Sequence, residues 1–305
     1  RDNRASRPAV AVQRLLDAGA IVFGKTNVPV ALADWQSFNP IYGTTNNPWH
    51  LGRTPGGSSG GSAAALAAGL TGLELGSDIG SSIRNPAHYC GVWGHKPSWG
   101  VLPMQGHELP GTEAIDTLDI AVAGPLARSA HDLTLAMDIL TNPLASYGAL
   151  GWQPAQWRDA GLAPTRLRIA VVADDDCARC DASVREPLQA LARFLREHGM
   201  TVSETARPVD SREAFRTYIH LLRSATGAHM GDADYAAAQA QAAARPAGSD
   251  DFVSWHWRGN TLSHRDWAHH DEVRSKLKRQ WANFFPEWDL LICPVATTPA
   301  FAHMQ

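Results

Sequence analysis

The 305-residue sequence has few charged residues, few cysteines and no long hydrophobic run. Charged residues make up 19%, and the formal net charge is only −3, so overall charge does not favour binding to nucleic acid or to an anionic membrane. The longest apolar stretches are interrupted by glycine or polar residues, which excludes a transmembrane helix. Hydrophobic residues still amount to 44%, which excludes disorder, collagen and coiled coil. The composition predicts a soluble globular protein.

The low number of cysteines, four, is typical of a protein from a reducing compartment. Cys177 and Cys180 have the spacing of half a zinc site or of a redox pair, but no second CxxC motif accompanies them. We therefore interpret them as ordinary loop thiols and expect neither a metal nor another cofactor. Residues 1–10 lack the hydrophobic segment of a signal peptide, so a cytoplasmic location is expected.

Predicted helices and strands alternate along much of the chain, which favours a layered α/β fold. Periodicity and end signals place helices at 10–18, 62–68, 129–140 and 184–198. They place a short buried strand at 21–23 and further strands at 167–172, 201–202 and 290–293. Residues 207–288 are predicted to be mainly helical and to form a peripheral layer.

Two glycine-rich segments match known motifs only formally. Residues 19–26 (GAIVFGKT) fit a phosphate-binding loop, but their apolar centre is predicted to be a strand and Pro29 follows closely. Residues 57–61 (GSSGG) fit a nucleophile elbow around Ser59, but no strand is predicted before them. An elbow hydrolase would also need a His–Asp pair later in the chain, and this alternative stays open.

A third segment, residues 76–84 (GSDIGSSIR), contains residue types that could form a catalytic turn. Small residues form a tight turn here, and consecutive backbone N–H groups of such a turn can converge on a developing oxyanion. A serine at the end of the turn can attack a carbonyl carbon. Asp78 and Arg84 flank the turn as polar groups that can hold it in place. In isolation, this pattern would indicate an ordinary Gly/Ser turn.

The pattern is not isolated, because several further segments occur in a recognisable order. They are 24–27 (GKTN), 56–65 (GGSSGGSAAA), 76–87 (GSDIGSSIRNPA), 90–91 (CG) and 94–97 (GHKP), with weaker agreement at 124–129 (GPLARS) and 289–294 (DLLICP). In these segments the chain resembles the amidase signature family, serine hydrolases that cleave or transfer carboxamides. The resemblance implies a layered α/β/α fold around a mixed, twisted β-sheet.

The resemblance also implies a catalytic arrangement. Ser82 corresponds to the nucleophile and Ser58, with a cis peptide bond, to a bridging serine that relays the proton of Ser82 to a lysine. The implied oxyanion donors are the backbone N–H groups of Ile79, Gly80, Ser81 and Ser82. The implied supporting residues are Asp78, Arg84 and Ser59. The expected reaction is hydrolysis of a small-molecule amide through an acyl-enzyme on Ser82.

The sequence departs from the family pattern in three places. Val30 stands where the family often carries a glutamate. Ser81 stands where the family commonly has a second glycine. No residue of this chain corresponds to the base lysine, since Lys25 belongs to the GKTN segment and Lys96 to the GHKP segment. The motif positions lead us to expect the central portion of one longer domain, with a core at about 20–128 and a variable helical region at about 141–288.

Alternatives remain open at this point. The chain could be a non-catalytic, binding member of the family, or an amidotransferase A-type subunit that uses misacylated tRNA. A membrane or nucleic-acid partner is otherwise not expected, and a homo-oligomer is left open. His264, His269 and His270 have poor spacing for one metal and are interpreted as a solvated helix face. Trp255 and Trp257 lie where the family places variable substrate-pocket segments.

Overall fold

The computed structural model describes residues 5–107, 118–141, 163–228 and 230–304. The chain divides into two compact units: Arg1–Arg158 together with Thr298–Gln305, and Asp159–Thr297. The start of the expected variable region, residues 142–162, lies outside the described residues.

The first unit contains short helices and two small antiparallel sheets. Its helices are α1 (Val10–Asp17), α2 (Gly60–Ala67), α3 (Arg84–Cys90) and α4 (Ala130–Leu140). Its strands are β1 (Phe38–Asn39), β2 (Gly43–Thr44), β3 (Leu73–Asp78), β4 (Trp93–Gly94) and β5 (Val122–Ala127). The strands pair antiparallel in the orders β1-β2 and β3-β5-β4.

The ends of these helices follow from their sequences. Helix α1 is followed by Gly19 in the left-handed region, with φ +90°, a conformation that glycine adopts at little cost. Helix α4 begins after Ser129, whose Oγ accepts a hydrogen bond from the backbone N–H of Asp132. Leu15 of α1 and Leu140 of α4 belong to one buried apolar cluster. The predicted helices at 10–18, 62–68 and 129–140 are therefore confirmed, with ends that differ by one or two residues.

The predicted buried strand at 21–23 is wrong. Ile21, Val22 and Phe23 form no strand, and their side chains are 87%, 52% and 78% exposed. None of the strands in the described ranges pairs with this apolar run. An apolar run alone does not bury itself, because burial needs a neighbouring surface to pack against.

Strands β3 and β5 were not predicted, because their sequences contain residues with low strand propensity. They pair in full register from Leu73 with Ala127 to Asp78 with Val122. Gly76 and Gly124 lie opposite each other in this ladder. A Cβ at Gly124 would come 2.2 Å from the carbonyl oxygen of His95, so close approach of backbones favours glycine here. Tertiary packing outweighs local propensity in this pair of strands.

The second unit is a three-stranded parallel sheet with a group of longer helices. Its strands are β6 (Arg168–Val171), β7 (Thr201–Ser203) and β8 (Leu290–Ile292), in the order β7-β6-β8. Its helices are α5 (Ala182–Glu197), α6 (Ser211–Gly227), α7 (Asp232–Ala243), α8 (Phe252–Asn260) and α9 (His264–Phe284). Ile169 and Val171 of the central strand are buried against Ala192 and Leu195 of α5. The strands and helices predicted for this part of the sequence are confirmed.

The structure confirms the α/β class with both parallel and antiparallel pairing. Its described strands lie in three sheets of two, three and three strands rather than in one continuous sheet. Among the helices of the described ranges, none combines the length and the apolar character needed to cross a bilayer.

Candidate active site

The two serine-containing segments of the first unit lie next to each other. The peptide bond between Gly57 and Ser58 is cis, and α2 begins two residues after Ser58. The backbone N–H of Ser59 donates to the carbonyl oxygen of Ser82 at 3.1 Å. Ser58 and Ser82 are 2% and 7% exposed. The segments that contain Ser58 and Ser82, which are separated in sequence by α2 and β3, are therefore in contact in a buried part of the first unit.

Glycines allow this close approach of the two segments. A Cβ at Gly76, inside β3, would lie 2.6 Å from Oγ of Ser59, and one at Gly56 would lie 2.6 Å from Oδ1 of Asn85. Gly56 also has φ +88°, in the left-handed region. Side chains at these positions would force the segments apart.

Asp78, the last residue of β3, holds the turn that follows it. Its Oδ1 accepts from the backbone N–H of Ser81 at 2.9 Å, and its Oδ2 accepts from that of Ile83 at 3.1 Å. Arg84 donates to the same carboxylate through Nη2, 2.8 Å from Oδ1, and Nε, 3.0 Å from Oδ2. Asp78 is only 1% exposed, whereas the side chain of Arg84 is 43% exposed. The carboxylate therefore fixes the backbone of residues 79–83 through its hydrogen bonds to the N–H groups of Ser81 and Ile83.

The environment of Asp78 keeps it ionised. Burial by itself raises the pKa of this carboxyl, but the hydrogen bonds and positive charge of Arg84, together with the backbone N–H groups of Ile83 and Arg84, outweigh burial and lower the pKa. A charged Asp78 therefore accepts all of these hydrogen bonds at neutral pH.

The turn presents some, but not all, of the predicted oxyanion donors. In the described part of the chain, the backbone N–H groups of Gly80 and Ser82 have no hydrogen-bond partner. The N–H of Ser81 is already donated to Asp78. On the other side of the turn, Nε1 of Trp35 donates to the carbonyl oxygen of Gly80 at 2.9 Å, which orients that peptide.

Ser81 adopts a backbone conformation that suits glycine. Its φ is +76°, in the left-handed region, where a side chain costs about 1–2 kcal/mol. Its Oγ is buried and has no hydrogen-bond partner among the described groups. The substitution of serine for the family's usual glycine thus introduces both backbone strain and an unpaired hydroxyl.

The alternative nucleophile, Ser59, is held by β3. Its Oγ accepts from the N–H of Ser77 at 3.4 Å and donates to the carbonyl of Ser77 at 3.5 Å. The residues before Ser59 form no strand, which a nucleophile elbow requires. The other glycine-rich segment, residues 19–26, is not followed by an α-helix, so it lacks the geometry of a phosphate-binding loop.

Three polar residues of this site were missed in the sequence. Trp35 donates to Gly80, Ser37 donates to the carbonyl of Gly56 at 3.0 Å and accepts from the N–H of Gly60 at 3.1 Å, and Asn85 accepts from the N–H of Gly57 at 3.4 Å. Asn85 lies inside the recognised 76–87 segment, so its position was a usable signal. Trp35 and Ser37 act through contacts over 19 or more residues, which no local pattern indicates.

The two lysines considered as bases differ in burial, because Lys25 is exposed and Lys96 is partly buried. Lys96 donates through Nζ to the carbonyl of Pro97 at 2.8 Å. Burial and the charge of Arg84 lower the pKa of Lys96, partly offset by Asp78. Lys96 therefore interacts electrostatically with both members of the Asp78–Arg84 pair.

The second unit corrects one expectation about histidines. His264 and His269 are exposed as expected, but His270 is half-buried and its ring stacks on that of His220, with centroids 4.2 Å apart. Trp255 is 4% exposed. No group of three or more metal-ligating side chains occurs within the described ranges, and Cys177 and Cys180 are free thiols.

Comparisons with known proteins identify the family of this chain. The model of the Amidase family matches residues 1–305, and the chain therefore belongs to this family. It is 30% identical to an indoleacetamide hydrolase of Bradyrhizobium diazoefficiens over 98% of this chain and 55% of that protein. It is 29% identical to the A subunit of a glutamyl-tRNA(Gln) amidotransferase of Gloeobacter violaceus over 95% of this chain and 62% of that protein.

Among solved structures, the chain is similar to a 6-aminohexanoate cyclic dimer hydrolase complexed with substrate. The TM-score is 0.74 at 26% identity, and the match covers 98% of this chain and 62% of that one. The chain thus spans between about half and two thirds of the length of these relatives.

Proposed function

We propose that this protein hydrolyses a carboxamide through an acyl-enzyme on Ser82. The observation that carries the proposal is the contact between the Ser58–Ser59 segment and Ser82, beside a turn with two unpaired amides. A nucleophile next to preorganised N–H donors is the arrangement that acyl transfer needs. Membership of the Amidase family supports the same reaction.

In the proposed reaction, Oγ of Ser82 attacks the carbonyl carbon of the amide. Its proton passes to the hydroxyl of Ser58, which relays it to a base. The N–H groups of Gly80 and Ser82 donate to the oxyanion that forms, with Ile79 as the third proposed donor. The C–N bond then breaks, ammonia or an amine leaves with a proton, and water hydrolyses the acyl ester of Ser82.

Asp78, Arg84 and Ser59 act as positioning residues in this proposal. Because the N–H of Ser81 donates to Asp78, this amide is not available to the oxyanion. The same hydrogen bond fixes the orientation of the adjacent peptide groups of the turn. Loss of one oxyanion donor in comparable sites lowers turnover by about 10²–10³-fold, so the orientation of this turn matters for the rate.

The nucleophile is tested by labelling and by turnover. A fluorophosphonate probe is added to the purified protein, and the modified peptide is identified by mass spectrometry. Label is expected on Ser82, and Ser82→Ala is expected to lose both the label and about 10³-fold or more of the amidase activity. Ser59→Ala serves as the matched control and should still be labelled. Label on Ser59 instead would support the elbow alternative, and full activity of Ser82→Ala would overturn the proposal.

An amidotransferase A-type role is the second candidate, because the identity to such a protein, 29%, is close to the 30% found for the indoleacetamide hydrolase. The two differ in substrate. Release of ammonia from indoleacetamide or another simple amide by the purified protein favours the hydrolase. Release from glutamine alone favours the amidotransferase role.

A further inference from the structure

The helical part of the second unit contains two neighbouring cavities, of about 300 and 350 Å³. They share four wall residues: His220 of α6, Arg258 of α8, and His269 and His270 of α9. None of these residues belongs to the proposed catalytic group.

Arg258 brings a positive charge that no acid neutralises within the described part of the chain. Its guanidinium donates to the carbonyl of Pro246 at 2.6 Å and to the carbonyl and Oγ of Ser249 at 2.9 and 3.0 Å. These three acceptors are uncharged, and none of the ion pairs between described residues involves Arg258. A guanidinium has five N–H groups, so two are not used in these three hydrogen bonds.

The two carboxylates at the cavity walls form no ion pair with Arg258. Arg216 lies 3.5 Å from Oδ1 of Asp250, but Arg212 also pairs with that carboxylate, at 3.1 Å. Asp250 in addition accepts from Nε1 of Trp255 at 3.0 Å. The second acid at the walls is the exposed Asp266. The walls therefore carry two guanidinium groups, those of Arg216 and Arg258, and two carboxylates, and Asp250 is shared with Arg212, which lines neither cavity.

The stacked histidines add protonatable nitrogens to the same wall. Nδ1 of His220 lies 2.8 Å from the carbonyl of Arg216, and because a carbonyl can only accept, this nitrogen carries the proton. The ring of His270 lies parallel to it within 15°, and neither nitrogen of His270 has a hydrogen-bond partner among the described groups. Burial and then the positive charges of His220, His269 and Arg216 lower the pKa of His270 to about 4. A bound anion would oppose these charges and raise that pKa.

We propose that Arg258, Arg216, His220 and His270 form a binding site for a small oxyanion of the carboxylate or phosphate class. Arginine presents paired N–H donors that match the oxygens of such groups. A cavity of about 300 Å³ accommodates a small anion with its hydration water. Thr261 also lines the cavity, but its hydroxyl donates to the carbonyl of Trp257 at 3.4 Å.

Isothermal titration calorimetry tests the site, with inorganic phosphate and acetate as probes at constant ionic strength. We expect saturable binding of at least one anion, several-fold tighter at pH 5.5 than at pH 7.5, because binding and protonation of the histidines favour each other. In NMR titrations the pKa of His270 should rise in the presence of that anion. Comparison of phosphate with acetate identifies the class of oxyanion.

Variants assign the binding to these residues. Arg258→Met should weaken binding by about tenfold or more, a loss equivalent to about 1.4 kcal/mol, whereas Arg265→Met, at an exposed position of α9, should leave it unchanged. Because Arg258 also holds residues 246–249, His270→Phe provides a second test that keeps both a ring against His220 and the contacts of Arg258. It should weaken binding and remove most of its pH dependence.

The proposal is overturned if neither anion gives a saturable signal, or if binding is the same in Arg258→Met and His270→Phe as in the unchanged protein. These measurements use no amide substrate, so Ser82→Ala should bind the anion normally even if the proposed amidase activity is absent.

Discussion

Arg84 holds the buried carboxylate of Asp78 through two nitrogens, Nη2 at 2.8 Å from Oδ1 and Nε at 3.0 Å from Oδ2. Between these two residues lie the proposed oxyanion donors and Ser82. The ion pair therefore closes the turn at its base, and the amides of the turn depend on it for their orientation.

Asp78→Asn should destabilise the protein by about 2–3 kcal/mol, because it removes the charge from several charge-assisted hydrogen bonds at a buried position. Urea denaturation at pH 7 measures the change. Since the pKa of Asp78 is lowered in the folded state, its contribution is present above the unfolded carboxyl pKa, about 3.9, and is lost as the pH falls below it. Asp138→Asn, at an exposed position of α4, should change stability by less than about 0.5 kcal/mol. Equal effects of the two variants would contradict this role of Asp78.

Amidase turnover should also fall in Asp78→Asn, with kcat affected more than KM, if the turn orients donors that act in the transition state. An unchanged kcat in the folded variant would show that the carboxylate contributes to stability alone.

Ser81 offers a separate test of the strain in the same turn. Ser81→Ala removes the buried unpaired hydroxyl and keeps a Cβ at φ +76°, whereas Ser81→Gly also removes the Cβ. We expect Ser81→Gly to be more stable than Ser81→Ala by about 1 kcal/mol, since glycine adopts this φ freely. Thermal unfolding of both variants measures the difference. A less stable glycine variant would show that the left-handed conformation costs nothing here.

The close packing of β3 against the Ser59 segment predicts the effect of one added methyl group. Gly76→Ala would place a Cβ 2.6 Å from Oγ of Ser59 and 2.9 Å from Cδ1 of Leu126, so it should destabilise the protein by about 1–3 kcal/mol and lower activity. Gly72→Ala is the matched control, because a Cβ there meets no atom within 4 Å. Similar stability of the two variants in urea denaturation would mean that β3 shifts to accommodate the methyl group.

The sequence predicted the elements that carry their own signals and missed those that depend on distant partners. The amphipathic helix α5 ends before Gly199, and the apolar strand β6 has a clear pattern, so both were found. Strand β3 contains one glycine, β5 contains one glycine and one proline, and the two strands are stabilised by pairing with each other. The run 21–23 has a strand-like pattern without a partner among the described strands.

For the candidate site, the motif resemblance indicated Ser58, Ser82 and the Asp78–Arg84 pair, whose assignment to catalysis remains a prediction. The sequence could not indicate that the amide of Ser81 is donated to Asp78 or that Trp35 holds Gly80. Both facts depend on the three-dimensional path of the turn. The stacking of His270 on His220 likewise joins residues of two helices, and helical spacing within α9 alone suggested a solvated position.

That stacked pair makes the stability of the protein sensitive to mildly acidic pH. The pKa of His270 is lowered from 6.5 to about 4 in the folded state, so the unfolded chain takes up a proton that the folded chain resists. The contribution of His270 to the free energy of unfolding should therefore be fully present above pH 6.5 and decrease as the pH falls from 6.5 towards 4. His270→Gln should reduce this decrease, measured as the difference between urea denaturation at pH 7 and pH 5. His264→Gln, at an exposed position of the same helix, should retain it, and a decrease of the same size in both variants would assign the pH dependence to other groups.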